Sequence, residues 1–131
     1  MIGQADSNVS AKKMVMNING SSVNVNATGT DSGAGALIGV NTATFTGPNE
    51  DCSFANGSGL NISAANGYAG YLIGINNGTF QGKNNHTYTL NASIGNCKNS
   101  AEAPEDKVIG RNNNVMKSFK YTINGTTYTV A

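Results

Sequence analysis

Charge is what this chain has least of. Lys, Arg, Asp and Glu make up 11% of its 131 residues, well under the roughly 25% usual in soluble domains, and the net charge is +1. That balance excludes the strongly charged kind of disorder and removes any electrostatic reason to expect nucleic acid or an anionic membrane as partner. Tryptophan is absent, and His86 is the only histidine. One imidazole and two distant cysteines are too few for a zinc site, and His86 reads as a surface-loop residue and not as the base of a triad. No cofactor is expected. No apolar run approaches the ~18 residues of a membrane-spanning helix, and Met1-Ile2-Gly3-Gln4 lacks the basic and apolar regions of a signal peptide, which suggests a mature or excised piece. Glycine interrupts every stretch with a helical apolar period, so no helix is expected.

Asparagine, glycine, serine and threonine fill the place the charges leave, nearly half the chain. They are arranged in a repeat. Gly70-Tyr71-Leu72-Ile73-Gly74-Ile75-Asn76-Asn77-Gly78-Thr79-Phe80 has a counterpart in Gly35-Ala36-Leu37-Ile38-Gly39-Val40-Asn41-Thr42-Ala43-Thr44-Phe45. Val108-Ile109-Gly110-Arg111-Asn112-Asn113-Asn114-Val115-Met116 is a degenerate third copy. The spacing is about 35 residues, a period that signals an array, a propeller or a solenoid. Gly39, Gly74 and Gly110 hold equivalent positions, as do Asn41, Asn76 and Asn112, and Phe45 matches Phe80. A residue without a Cβ lets the backbone turn sharply or another strand approach closely. Leu37, Val40 and Phe45 are expected to stack with Leu72, Ile75 and Phe80 in the interior, at ~4.8 Å per rung. Asparagines in register are expected to pair their amides up the stack, a structural ladder and not a binding site.

A second motif interleaves with the first, from Asn19 to Ala27, Asn56 to Ala64, Asn84 to Ala92 and Asn124 to Ala131. Its Asn-Gly pairs are strong hairpin signals, and the competing reading is a corner between successive strands of a coil. Return of the motif with the rungs favours the corner. Residues 1–12 show no periodicity and read as an N-terminal tail or an improvised first edge, and 13–131 as one repeat domain. The expected fold is all-β, a parallel β-solenoid of about three to four coils of roughly 35 residues. With a copy of the Asn-Gly motif near each end and no cap in sight, end-to-end stacking into fibres, or neighbouring repeats of a longer chain, is expected.

Two longer connections, Thr46 to Ala55 and Ala92 to Val108, hold both cysteines and both prolines, the features of surface loops. Cys52 and Cys97 predict a disulfide in an oxidising compartment, worth about 4 kcal/mol on the chain-entropy model; two unpaired buried thiols are the other reading. Glu50-Asp51 and Glu102/Glu105/Asp106 are the acidic clusters, and neither recurs between rungs. Glycosidase chemistry needs two carboxylates facing each other, and the second cluster lacks the ligand spacing of a calcium loop. Asn8, Asn19, Asn26, Asn56, Asn61, Asn77, Asn85, Asn91 and Asn124 each head an Asn-x-Ser/Thr triplet. They read as glycosylation candidates whose sugars would solubilise a weakly charged surface, or as corner residues multiplied by the repeat.

Gly35 to Gly39 and Gly70 to Gly74, each followed by Asn and a Thr-Phe pair, resemble the Glug motif, which is repeated in tandem in large secreted bacterial proteins such as IgA peptidases and haemagglutinin-like adhesins. The resemblance covers roughly residues 33–116. It implies a right-handed parallel β-solenoid on an extracellular surface, serving as a stalk or adhesive module and not as the protease. The expected function is thus a non-enzymatic structural or adhesive module at the cell surface, with itself or surface glycans as partners. The alternative is a carbohydrate-binding or carbohydrate-cleaving β-helix. That would need a groove of aligned aromatics or acids, and Tyr71, Tyr88, Tyr121 and Tyr128 are too scattered to define one. Ice binding would need a Thr-x-Thr ladder, but Thr42/Thr44 becomes Asn77/Thr79 and then Asn113/Val115.

Overall fold

The computed structural model describes residues 2–17, 22–48, 50–54, 59–82, 86–99 and 108–131. Among these, every regular element is a β-strand, two to six residues long. Local sequence explains the type: Leu60-Asn61-Ile62-Ser63-Ala64 buries its alternate apolar residues and exposes Asn61, the period of a half-buried strand. Gly, Asn and Ser between such runs favour turns and keep each run short.

Five sheets result. Sheet I holds β1 (Ile2–Ala5), β6 (Ile38–Asn41), β11 (Ile73–Asn76) and β15 (Ile109–Asn112). Sheet II holds β2 (Val9–Ser10), β7 (Thr44–Thr46), β12 (Thr79–Gln81) and β16 (Met116–Lys117). Sheet III holds β3 (Val15–Met16), β8 (Cys52–Phe54), β13 (Thr87–Leu90), β17 (Phe119–Ile123) and β18 (Thr126–Val130). Sheet IV holds β4 (Val23–Asn26), β9 (Leu60–Ala64) and β14 (Ala92–Cys97), and sheet V holds β5 (Gly33–Gly35) and β10 (Tyr68–Gly70). The chain visits sheets I to V in order twice; on the third pass the described strands go from sheet IV (β14) to sheet I (β15). From β6 to β17 each strand pairs in parallel with the one laid down a round earlier, and only β17 also pairs with its neighbour in sequence, β18. Residues 2–10 take part, since β1 pairs with β6 and β2 with β7.

The register fixes the columns. Ile2, Ile38, Ile73 and Ile109 stand in one, and Asn41, Asn76 and Asn112 in another. Val9, Phe45, Phe80 and Met116 form the column of sheet II. The Phe45 and Phe80 rings stack with centroids 5.1 Å apart, and Phe80 meets Phe119 edge-on at the same distance. Aromatic pairs of this kind contribute about 0.5–1.5 kcal/mol beyond their burial. Tyr88 joins them from sheet III, with its hydroxyl donating to Gly47 C=O at 2.7 Å. The column Gln4, Val40, Ile75, Arg111 is less uniform than the sequence suggests: Ile75 is buried, Val40 is half-buried and Arg111 is exposed.

Sheets I and V meet without a layer of side chains. A Cβ added to Gly74 would lie 2.6 Å from Gly33 Cα, and one on Gly110 would lie 2.8 Å from Ala69 C. Backbone presses on backbone there, which only glycine permits.

Two expectations need correction. Asn124-Gly125 is a hairpin turn and not a corner: both residues have positive φ (50° and 86°), and β17 and β18 pair antiparallel from Ile123↔Thr126 to Phe119↔Val130. A five-residue apolar-polar alternation follows the turn, so folding back completes a strand pair. At the other end β3 and β4 lie in different sheets, as a corner requires, while Asn19-Gly20 itself falls outside the described residues. The second correction concerns the copies of the second motif. Val23 pairs with Leu60, but Leu60 pairs next with Ala92, and Tyr88 belongs to sheet III beside Cys52 and Tyr121. The first two copies are therefore equivalent and the last two are not. The ends of the molecule are consequently unlike: β18 adds a fifth strand to sheet III, where sheets I and II have four.

Candidate functional site

Polar side chains converge in three places. The first is the corner that follows sheet I. Asn41 Nδ2 donates to Asn76 Oδ1 at 2.8 Å, and Asn76 Nδ2 donates to Asn112 Oδ1 at 2.8 Å. Each also reaches a backbone carbonyl, Thr79 O at 3.3 Å and Val115 O at 3.1 Å. Asn41 and Asn76 are fully buried, so the ladder serves the fold and is closed to ligands. Its lower end is incomplete: Ala5 stands beneath Asn41, and Asn41 Oδ1 has no partner among the described residues.

The second is the outer face of sheet IV. Asn61 Nδ2 donates to Asn24 Oδ1 (3.2 Å), Ser93 Oγ to Asn61 Oδ1 (2.6 Å) and Ser63 Oγ to Asn26 Oδ1 (3.1 Å). Asn26, Asn61, Ser63, Ala65 and Ser93 line a shallow concavity of about 510 Å³. It offers amides and hydroxyls and no charge.

The third lies where sheets IV, V and I follow one another. Tyr68 of β10 is half-buried, with the Arg111 guanidinium 5.1 Å and the Lys98 ammonium 5.9 Å from its ring centre. Arg111 also donates to the phenol oxygen at 3.3 Å, and Lys98 is hydrogen-bonded to Asp31. That bond holds the Asp31 carboxyl below its ordinary range and the Lys98 ammonium above it. Cation-π contacts at exposed rings contribute about 0.5–1 kcal/mol. Sequence reading missed Tyr68 because its partners, Lys98 and Arg111, come from two later rounds of the chain; the one visible signal was a charge at Arg111 where Val40 and Ile75 stand.

The carboxylates of Glu50 and Asp51 are both engaged. Glu50 pairs with Lys12 at 3.6 Å and Lys13 at 3.8 Å, both exposed. Asp51 Oδ1 accepts from Thr87 N–H at 2.8 Å and lies 3.3 Å from His86 Nδ1. The Thr87 bond is the main reason its carboxyl sits below the usual range, with His86 a smaller one. A depressed native value means the associated stability is complete above the unfolded carboxylate value of about 3.9 and is lost as pH falls through the native one. The melting temperature of the intact chain should therefore hold steady down to about pH 5 and decline below about 4. Asp51→Asn should shrink that decline in an acid titration followed by circular dichroism. Glu102, Glu105 and Asp106 lie outside the described residues.

Cys52 and Cys97 are free and buried, in sheets III and IV, so the expected bridge is not formed. Met14 N–H donates to Cys52 Sγ at 3.1 Å, and burial pushes this thiol's pKa up. Neither cysteine belongs to a metal-binding group, and no cluster of three such ligands exists among the described residues. No helix there is long and apolar enough to cross a membrane.

The sequon asparagines differ in what their amides do. Asn124 Nδ2 donates to Ala92 C=O and Asn61 Nδ2 to Asn24, so the atom a glycan would need is engaged. Among the described residues Asn8, Asn26 and Asn77 use only their Oδ1, accepting from Thr44 N–H, Ser63 and Asn113. Asn91 is exposed and its side chain makes no hydrogen bond among the described residues. Asn19, Asn56 and Asn85 fall outside them. No family model, curated protein or solved structure matches the chain.

Proposed function

We propose that this chain is a short parallel β-solenoid acting as a non-enzymatic structural or adhesive module on an extracellular surface, of the kind the Glug resemblance implies. The cyclic order of strands through five sheets carries the solenoid reading, because it makes each round of chain the template for the next. The non-enzymatic part is supported by the pairing of Glu50 with Lys12 and Lys13 and by the Thr87 N–H that Asp51 accepts, where a glycosidase would set two carboxylates across a groove. A hydrolysis assay over a panel of polysaccharides tests it; turnover abolished by Asp51→Asn would overturn it.

The upper end of the molecule is ill-suited to stacking into fibres. Continuation of the stack would require the upper ends of sheets I, II and III to stand level, and β18 raises sheet III by one strand. Antiparallel β18 thus acts as a partial cap. Sedimentation velocity across a concentration series should give a single monomer boundary, and filaments by negative stain would contradict the cap.

Glycan binding is the second reading, favoured by the half-buried Tyr68 ring and its two flanking cations. A ring with Arg111 and Lys98 next to it suits an acidic sugar. A glycan array is the measurement: binding lost in Tyr68→Ala with an unchanged melting temperature supports this reading, and a blank array removes it.

A further inference from the structure

The asparagine ladder repeats one pattern of donors. At each level an Nδ2 gives one hydrogen to the Oδ1 of the asparagine above and the other to a backbone carbonyl beside it: Asn41 reaches Asn76 Oδ1 and Thr79 C=O, and Asn76 reaches Asn112 Oδ1 and Val115 C=O. The register Thr79↔Thr44 puts Thr44 C=O one level below Thr79 C=O. The lowest level therefore calls for the same two hydrogens, one for Asn41 Oδ1 and one for Thr44 C=O.

Ala5 holds that level. It stands opposite Asn41 in the rung, and Thr42 N–H donates to its C=O as Asn77 N–H does to Asn41 C=O, so the backbone is in place and only the carboxamide is missing. Asn41 is fully buried, and its Oδ1 has no partner among the described residues. A buried acceptor left so is costly, and such atoms are nearly always satisfied in folded proteins. No level beneath Ala5 can supply the hydrogen, because it would lie two strand spacings, about 9.6 Å, from Asn41. Alanine in an asparagine rung also withdraws one carboxamide of volume, comparable with the roughly 30 Å³ of a water molecule.

The occupant of this place must be small, donate twice and be neutral. No carboxylate among the described residues is buried, and Asp6, next to Ala5, is exposed and accepts from Gln4 and Thr42. An ammonium or a metal cation would be a buried charge without a counter-ion. We infer that the space between Ala5 and Asn41 is a binding site for one water molecule, which donates to Asn41 Oδ1 and Thr44 C=O in the place of the amide nitrogen that the rungs above provide. The water is part of the fold: it carries the ladder down one level past a residue with no amide of its own. This goes beyond the structural role proposed above and does not depend on it.

Oxygen-17 relaxation dispersion on the full chain counts waters held for longer than the molecule takes to tumble. The parent should show at least one, and Ala5→Asn one fewer, since the new side chain brings both hydrogens and releases the water. Equal dispersion from the two, or none from the parent, would overturn the inference. A second measurement needs no variant: cross-relaxation from water to the Ala5 methyl group should carry the sign of a rigidly held molecule. The sign of fast surface water, or no transfer at all, would sink the site even if Ala5→Asn failed to fold.

Discussion

Gly74→Ala should unfold this protein almost as effectively as Gly74→Val. The damage is done by the first carbon: a Cβ at position 74 would lie 2.5 Å from Gly33 C and 2.6 Å from Gly33 Cα, and nearer still to Ala34 N. These are backbone atoms of a strand pinned from above by β10 through the register Tyr68↔Gly33 and Ala69↔Ala34, so they cannot swing aside as a side chain does. Relief requires sheet V to move off sheet I, which opens the interior next to Leu37 and Leu72, both buried. Overpacking of a rigid interior costs about 1–3 kcal/mol and sometimes more, so a loss above ~2 kcal/mol is expected for either variant, or a melting temperature lower by about 8 °C or more. Gly3→Val is the internal control: Ile2↔Ile38 places Gly3 in the same column, and a Cβ there would meet nothing within 4 Å. Denaturant titrations of the three variants decide the matter. A Gly74→Ala variant as stable as the parent would mean that the two sheets do not touch there.

The same column shows what could be read from sequence and what could not. The Leu-Ile-Gly rung, its asparagine and its phenylalanine recur at a nearly fixed spacing, and each carries its reason locally: a glycine for close approach, an amide for a ladder, a ring for the core. Those are the residues now found opposite one another in sheets I and II. The second motif misled because Tyr88-Thr89-Leu90-Asn91-Ala92 and Leu60-Asn61-Ile62-Ser63-Ala64 share a pattern that fits any half-buried strand, and only the neighbour in space distinguishes sheet III from sheet IV. Asn124-Gly125 is equally compatible with a corner or a hairpin; the decision lies with Tyr121 and Tyr128, whose rings stack with centroids 5.1 Å apart once the chain turns back. Tyr68 with Arg111, and Asp31 with Lys98, were beyond reach, since no local pattern joins residues 43 or 67 positions apart.

Asn76→Asp should be the most damaging single-atom change in the chain, and its cost should depend on pH. Asn76 is fully buried and stands in the middle of the ladder. Its Nδ2 donates to two acceptors, Asn112 Oδ1 at 2.8 Å and Val115 O at 3.1 Å, while its Oδ1 accepts from Asn41 at 2.8 Å. An aspartate puts an oxygen where the two donors were, so a buried charge faces two lone-pair-bearing oxygens with one hydrogen bond left to it. Leaving a buried charge without its partners costs about 3–5 kcal/mol, enough to unfold a marginal domain. The penalty falls on the ionised form, which raises the native pKa of this carboxyl. Stability is then lost as pH rises above the unfolded value near 3.9 and is regained in acid, the reverse of the trend expected from Asp51. Protonation of the introduced carboxyl restores one of the two missing donors, so the recovery is partial. The ladder also predicts a gain at its lower end. Thr42 N–H donates to Ala5 C=O at 2.9 Å just as Asn77 N–H donates to Asn41 C=O at 2.8 Å, so the backbone at Ala5 already has the geometry of a rung. Ala5→Asn would place an Nδ2 under Asn41 Oδ1 in place of the water inferred there, and exchanging an immobilised water for a tethered donor is worth about 1 kcal/mol. Chemical denaturation of both variants at pH 7, with Asn76→Asp repeated at pH 5, tests the whole scheme. If Asn76→Asp is pH-independent, or Ala5→Asn destabilises, the ladder does not carry the load assigned to it.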